Sequence, residues 1–260
     1  MPIRIAIPSD DVYTPLIENA EKYATELGVQ IFKVPEKQCF DLLKDQKVDV
    51  TFVSPLSYCS GVSIGDFRII PATMLAIEGY SGAMNLLFKE NLVTFKKVSY
   101  PNNNDFAILL TQILLEERYG IECDSVIQPE NQLPKDCDAI FTYEPVEPEQ
   151  ITLDVTEDWF ETFSIPMPLG LWVCRNEEAP DNIVEILLKL KADDLLPEEL
   201  ISGEGENVYD RHGRVIWRWE DNMRETLEQI FELLYMRNLV SEISAVKLLG
   251  EEVDLLGIEE

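Results

Sequence analysis

The sequence predicts an α/β protein of two lobes, the second βα lobe inserted into the first, with a ligand cleft between the lobes. Three observations carry this. Strand-length apolar runs alternate with helical periodicity from residue 3 to residue 53, and the same alternation restarts near residue 96. A short phrase also occurs nearly twice, as Asp49-Val-Thr-Phe-Val-Ser54-Pro-Leu-Ser57-Tyr58 and as Asp138-Ala-Ile-Phe-Thr142-Tyr143-Glu144-Pro145. Each phrase is an acidic residue, an apolar run too short for a helix, and a break at polar residues and proline. Strands that alternate with helices imply a parallel or mixed sheet with helices on its faces.

In chain order, residues 3–8 read as a strand, and Ser9, Asp10 and Asp11 supply N-cap chemistry for a helix over 13–27 closed by Gly28. Residues 29–34 are a second strand, 37–46 a helix, and 48–53 a third strand. Ser54 then stands where an N-cap belongs, with Pro55 at the first helical position. Apolar runs at 69–77 and 83–89 flank a Gly79-Tyr80-Ser81-Gly82 turn. The second round comprises a strand at 96–100, a polar break at 101–105, a strongly periodic helix at 106–119 ended by Gly120, and strands at 125–128 and 139–142. Segments 151–155, 158–163 and 169–174 return the chain; 181–192 is helical, 193–214 a loop region, 220–239 a long amphipathic helix, and 241–249 a last one. Trp217 and Trp219, alternating with Arg218, suggest an extended or half-buried segment, or, less readily, stacking with a partner or ligand. This organisation assigns residues 1–91 and 172–260 to the first lobe and 92–171 to the inserted second lobe, with crossings near 87–96 and 165–172.

Composition narrows the function. Forty-nine acidic residues against twenty-one basic ones give a formal net charge of −28. Nucleic acid and anionic membrane surfaces are recognised by basic patches, so neither is expected as a partner. The dispersed acids read as a solvated surface rather than an acidic tail. Five cysteines, odd in number and without CxxC spacing, argue against a disulfide framework or a zinc site, and predict buried thiols. No metal and no cofactor are expected. The first residues hold a strand-length apolar run without a signal-peptide pattern, and no stretch reaches the ~20 apolar residues of a membrane span; a cytoplasmic protein is expected. A small-molecule ligand is the expected partner, and a homodimer is compatible with the reading.

Ligands of open α/β sheets bind beyond the carboxyl ends of the strands. The polar breaks at 9–11, 54–57, 80–81, 102–105 and 142–144 are therefore the candidate site, converging on the cleft. A helix start after a strand offers backbone N–H groups to an anion, so Ser9, Ser54, Ser57 and Ser81 are candidate anchors for a carboxylate, with Asp10 beside them. Asn103, Asn104 and Thr142 stand at the second-lobe breaks. Tyr13 and Tyr80 are candidate aromatic walls, or core residues. Glu144 is a candidate acid or base, provided that burial lifts its pKa, and Tyr143 a candidate proton donor. There is no GxGxxG, P-loop, GxSxG or HExxH. His212, the only histidine, lies among Asp, Arg and Gly and reads as an exposed bystander.

On the residues from Lys47 to Tyr58 and the stretch 138–175, which includes Leu153-Asp-Val-Thr-Glu157-Asp-Trp159-Phe and Ile165-Pro-Met167-Pro168-Leu-Gly170-Leu-Trp-Val173, the chain resembles the menaquinone-biosynthesis family of the futalosine route. That family contains chorismate dehydratase and 1,4-dihydroxy-6-naphthoate synthase. The resemblance implies a type II periplasmic-binding-protein-like fold, a small carboxylate ligand, and, if catalytic, a lyase; Met167 joins the ligand-binding set through it. The naphthoate synthase branch is expected to carry a His-Glu pair where this chain has Tyr143-Glu144, a Pro-Asn-Asp phrase where it has Pro8-Ser9-Asp10, and paired threonines where it has Asp105-Phe106. The dehydratase branch is expected to carry Tyr-Leu-Asn and Gly-Asp phrases, which are absent. Two functions follow from the resemblance: a dehydratase-like or naphthoate-synthase-like enzyme, or a non-catalytic solute-binding or sensor protein of the same fold. An acidic interaction protein fits the doubled phrase poorly.

Overall fold

The structure, a computed structural model, describes residues 2–92, 94–101, 105–128, 133–144, 150, 152–203 and 210–251. The chain divides into two compact units, one spanning 1–75, 170–197 and 217–260, the other 76–169 and 198–216.

In the first unit, β1 (Ile3–Pro8) leads through a 3-10 helix (Asp11–Leu16) to α1 (Ala20–Leu27), β2 (Val29–Val34), α2 (Glu36–Lys44), β3 (Val50–Val53) and α3 (Pro55–Val62). The expected helix over 13–27 is thus two pieces. Pro15, which has no N–H to donate, lies in the first, and the α-helix begins only at Ala20. Gly28 closes that helix in the left-handed conformation at φ 63°. β4 (Phe67–Gly79) then carries the chain into the second unit.

The second unit contains β5 (Asn85–Phe88), β6 (Lys97–Tyr100), α4 (Phe106–Tyr119), β7 (Asp124–Ile127), β8 (Ala139–Thr142), β9 (Thr152–Asp154) and α5 (Val155–Phe163). β10 (Met167–Arg175) returns to the first unit, which adds α6 (Ile183–Leu190). The expected loop region 193–214 contains strands: β11 (Glu198–Gly203) and β12 (Arg211–Arg218) pair antiparallel, Leu200 opposite Arg214. A strand with mostly polar or exposed side chains (Leu200 is 81% exposed) has the composition of a loop, and cross-strand hydrogen bonds alone reveal it. Trp217 lies in β12, an extended segment as expected, and is buried rather than half-buried.

α7 (Met223–Met236) buries Met223, Leu227, Ile230, Phe231 and Leu234 at helical spacing. The expected helix over 241–249 is absent. That segment instead runs beside β4, with Ile69 N–H donating to Lys247 O (2.8 Å) and Leu249 N–H to Ile69 O (2.8 Å). The buried Tyr58 hydroxyl donates to Ala245 O at 3.0 Å, so tertiary bonds replace helical ones.

The strands form a seven-stranded sheet, order β11-β12-β4-β10-β3-β1-β2, and a five-stranded sheet, order β7-β6-β8-β5-β9. The doubled phrase has a counterpart here. β2-β1-β3 are parallel with β10 antiparallel beyond β3; β7-β6-β8 are parallel with β5 antiparallel beyond β8. The acidic residue that opens each phrase does the same work in both. Asp49 accepts from the Arg4 backbone N–H (2.8 Å) and forks onto its guanidinium (2.6 and 3.2 Å), which ties β3 to β1. Asp138 accepts from the N–H groups of Lys96 and Lys97 (2.8 and 3.0 Å), which ties β8 to β6.

The apolar runs after those acids are fully buried, Val50–Val53 in one sheet and Ala139–Thr142 in the other. Phe52 packs edge-on against Trp172 with ring centroids 5.0 Å apart, and the Trp172 indole N–H donates to Thr73 Oγ1 at 2.9 Å. Burying a side chain of this size contributes about 1.5–3 kcal/mol, provided that its polar atom is satisfied.

Candidate functional site

The carboxyl ends of the parallel strands place most of the predicted residues. In the first unit, β3 ends at Ser54, which is buried, caps α3 and accepts from Ser57 N–H (3.4 Å); the two hydroxyls are 3.1 Å apart. At the end of β1, Ser9 N–H donates to Val34 O (2.9 Å), while Asp10 is exposed and its side chain makes no capping bond. Tyr13 is half-buried, its ring 5.4 Å from that of Phe52. This edge offers the Ser54 and Ser57 hydroxyls, while the Ser57 and Ser9 amides are taken by Ser54 Oγ and Val34 O.

The second unit has a different chemistry at the same edge. β6 is followed by Asp105, whose Oδ1 accepts from Ala107 N–H (2.9 Å) and caps α4. β8 ends at Thr142, which is buried and accepts from Glu144 N–H at 3.0 Å. Tyr143, 44% exposed, stands edge-on to Phe141 (5.0 Å), and its hydroxyl donates to Asp105 Oδ2. Glu144 is exposed, so the burial that the sequence reading required of an acid or base there is not present. Asn103 and Asn104 lie outside the described residues.

A third cluster gathers at the end of β9. Asp154 is 2% exposed and both its oxygens are occupied. Oδ1 accepts from Thr156 N–H, Thr156 Oγ1 and Glu157 N–H (3.1, 2.8 and 2.9 Å) and caps α5. Oδ2 accepts from Ser81 N–H, Ser81 Oγ and Gly82 N–H (3.3, 3.4 and 2.7 Å). Ser81 is therefore held by its amide and its hydroxyl in the turn that follows Tyr80. Asn85, paired across the sheet with both Thr142 and Asp154, closes the same turn by donating to Gly82 O (3.0 Å).

Tyr80 is held by backbone on two sides. Its N–H donates to His212 O (3.0 Å), and a Cβ at Gly203 or Gly213 would meet the Tyr80 ring at 2.3 Å or its carbonyl oxygen at 2.0 Å. Over its ring lies the Arg211 guanidinium, 4.2 Å from the centroid, which also donates to Glu157 Oε2 from Nε (2.8 Å) and from Nη2. No sequence motif marks Asp154, Glu157 or Arg211 as a site residue, and Leu153-Asp-Val-Thr-Glu157 stands out only by its family likeness. An N-cap pattern, Asp154-Val-Thr-Glu157, was legible there. Arg211 was hidden by the reading of its strand as loop.

Met167 is completely buried at the start of β10. His212 is exposed, with Nδ1 3.4 Å from Ser202 Oγ, as read. Burial pushes the thiols of Cys39, Cys59 and Cys174 up to about 12. Among the described residues no group of three His, Cys, Asp or Glu side chains is placed to hold a metal, and no helix is long and apolar enough to cross a membrane.

Two sheets of this topology, each with helix starts at its carboxyl edge, define a two-lobed periplasmic-binding-protein-like fold, and solved structures agree. Protein AF1704 from Archaeoglobus fulgidus superposes with a TM-score of 0.56 at 17% identity, over 92% of this chain and 98% of that one. The periplasmic aliphatic sulphonate binding protein SsuA from Escherichia coli gives 0.56 at 10% identity, over 94% and 95%. The alkanesulfonate-binding SsuA from Xanthomonas axonopodis pv. citri, bound to MOPS, gives 0.51 at 10% identity, over 94% and 96%. A search of curated proteins finds no match. The chain belongs to the menaquinone biosynthesis family, whose family model matches residues 3–192.

Proposed function

We propose that the protein binds a small carboxylate at the carboxyl-end edges of its parallel strands and acts on it as a lyase of the chorismate dehydratase or dihydroxynaphthoate synthase kind. The observation that carries the reading is the chemical contrast between the two edges. The first offers the neighbouring hydroxyls of Ser54 and Ser57 at the start of α3, suited to anchoring an anion. The second offers Tyr143, hydrogen-bonded to Asp105, with Glu144 one residue on. Dehydration needs a base that takes a ring proton and a donor that protonates the departing hydroxyl, so that water leaves. Glu144 and Tyr143 are the residues proposed for those roles.

A specific observation favours a second reading, a non-catalytic binding or sensor protein. Tyr143 and Glu144 are both exposed, and acid–base chemistry of this kind is helped by exclusion of water. The sulfonate-binding neighbours share this chain's fold at 10% identity, which says nothing of its ligand.

Purified protein incubated with chorismate separates the two. Conversion to 3-enolpyruvylbenzoate that is lost in Glu144→Gln supports the lyase. Thermal stabilisation by chorismate or another small carboxylate, with no turnover of chorismate or of the cyclised futalosine precursor, supports the receptor. Neither turnover nor stabilisation would sink the carboxylate reading itself.

A further inference from the structure

We propose that Arg211, braced on Tyr80 and Glu157, is the cation that receives the ligand's carboxylate in the second unit. The inference rests on the carboxylate-binding reading and names the residue that meets the charge. A guanidinium presents a side edge (Nε and Nη2), an end edge (Nη1 and Nη2) and two faces. In Arg211 the side edge is committed to the single oxygen Glu157 Oε2, and one face lies 4.2 Å from the Tyr80 ring centroid. No described residue accepts from Nη1, and the side chain is 29% exposed. As far as the described residues go, the end edge therefore remains: two parallel N–H donors at the spacing that a carboxylate accepts bidentately.

The brace is rigid. Tyr80 cannot shift toward β11 or β12, because Gly203 and Gly213 approach so closely that a Cβ at either would overlap it. Glu157 sits in the first turn of α5 with its own N–H on Asp154 Oδ1 at 2.9 Å. An arginine fixed along one edge and one face loses less entropy when its end edge is occupied, which is what a positioned anion receptor requires.

Among the described residues the carboxylates of Glu157 and Asp154 act on Arg211, and a ligand's carboxylate must compete with them. Asp154 is answered by six donors, three on each oxygen, and by the start of α5, so its charge is largely compensated. Glu157 is the direct competitor, because it draws on the same guanidinium. The sign of its effect follows. Neutralising Glu157 strengthens carboxylate binding, whereas a cation that merely staples β12 to α5 predicts no gain.

Isothermal titration of the full chain with chorismate, benzoate and inorganic sulfate, together with the Arg211 Nε–H resonance in arginine-labelled protein, tests this. Chorismate or benzoate should move that resonance. Arg211→Lys, which keeps the charge and loses the fork, should weaken binding at least tenfold, and Glu157→Gln should tighten it severalfold. Circular dichroism establishes that both variants are folded. A carboxylate that binds with the resonance unmoved and with equal affinity in Arg211→Lys overturns the assignment and leaves the carboxylate reading standing. Loss of affinity in Glu157→Gln also overturns it, in favour of a purely structural pair. Sulfate moving the resonance while no carboxylate does overturns the ligand class, and silence toward all three anions overturns both proposals.

Discussion

Replacing Asp154 tests how the second unit holds its candidate site together. The carboxylate is 2% exposed; its Oδ1 serves the start of α5 and its Oδ2 the Ser81-Gly82 turn. Asp154→Asn keeps the shape but puts an NH2 group against one of these two sets of donors. If the oxygen stays on the helix, the N–H groups of Ser81 and Gly82 both lose their acceptor, while the Ser81 hydroxyl can rotate away. A buried donor left unsatisfied costs about 1–3 kcal/mol, so two that are not fully buried should cost about 2–4 kcal/mol in sum. Asp154→Ser can still cap α5 but cannot reach the turn, and Asp154→Ala loses the cap as well, a further ~1 kcal/mol. Urea unfolding followed by Trp fluorescence measures this, with the buried Trp159 on α5 as a local reporter. The expected order of stability is wild type, then Ser, then Ala. An Asn variant within about 0.5 kcal/mol of wild type, a change typical of a plain surface position, would refute the view that this carboxylate joins turn and helix.

Two further outcomes follow from charge and burial. Backbone N–H donation, first from Lys96, holds the Asp138 carboxyl below the usual range; for Asp49, burial works the other way but is outweighed by the Arg4 guanidinium and amide. With folded pKa values below the unfolded one of about 3.9, both acids stabilise the fold above that pH and lose the effect as pH falls through the lower values. The Asp49→Asn, Asp138→Asn double variant should accordingly lose less stability than wild type between about pH 4 and pH 2 in acid titrations, and parallel curves would reject the two ties. Thiol chemistry offers a second check. Cys39, Cys59 and Cys174 are pushed up to about 12 and Cys123 to about 11, so at pH 8 the first three should react with a disulfide reagent on the order of a thousandfold more slowly in native than in unfolded protein, and Cys123 on the order of a hundredfold. Rapid release of two or more thiol equivalents from native protein would contradict that burial.

The sequence carried the fold because the fold is repetitive and its signals are local. The acid-plus-apolar phrase at Asp49 and at Asp138 marks a central parallel strand each time, since a strand buried on both faces must be apolar throughout and its opening acid meets the backbone of the strand beside it. Ser54 as the cap of α3, Gly28 and Gly120 as helix ends and the core face of α7 are all set by residues within a turn of one another. The misreadings share a cause of the opposite kind. β11 and β12 look like loop because they are defined by each other's hydrogen bonds, and segment 241–249 is not the expected helix because Ile69 and Tyr58, far away in sequence, take its backbone groups.

The candidate site divides along the same line. Ser54, Ser57, Thr142 and Tyr143 could be picked because strand ends place them, whichever way the rest of the chain folds. That Glu144 is exposed, that the Ser81 hydroxyl is taken by Asp154, and that Arg211 lies on Tyr80 with one edge toward Glu157 were decided by tertiary structure alone. Local spacing fixes which backbone groups a helix start exposes; the protonation, partners and reach of a side chain depend on neighbours that only the folded chain supplies.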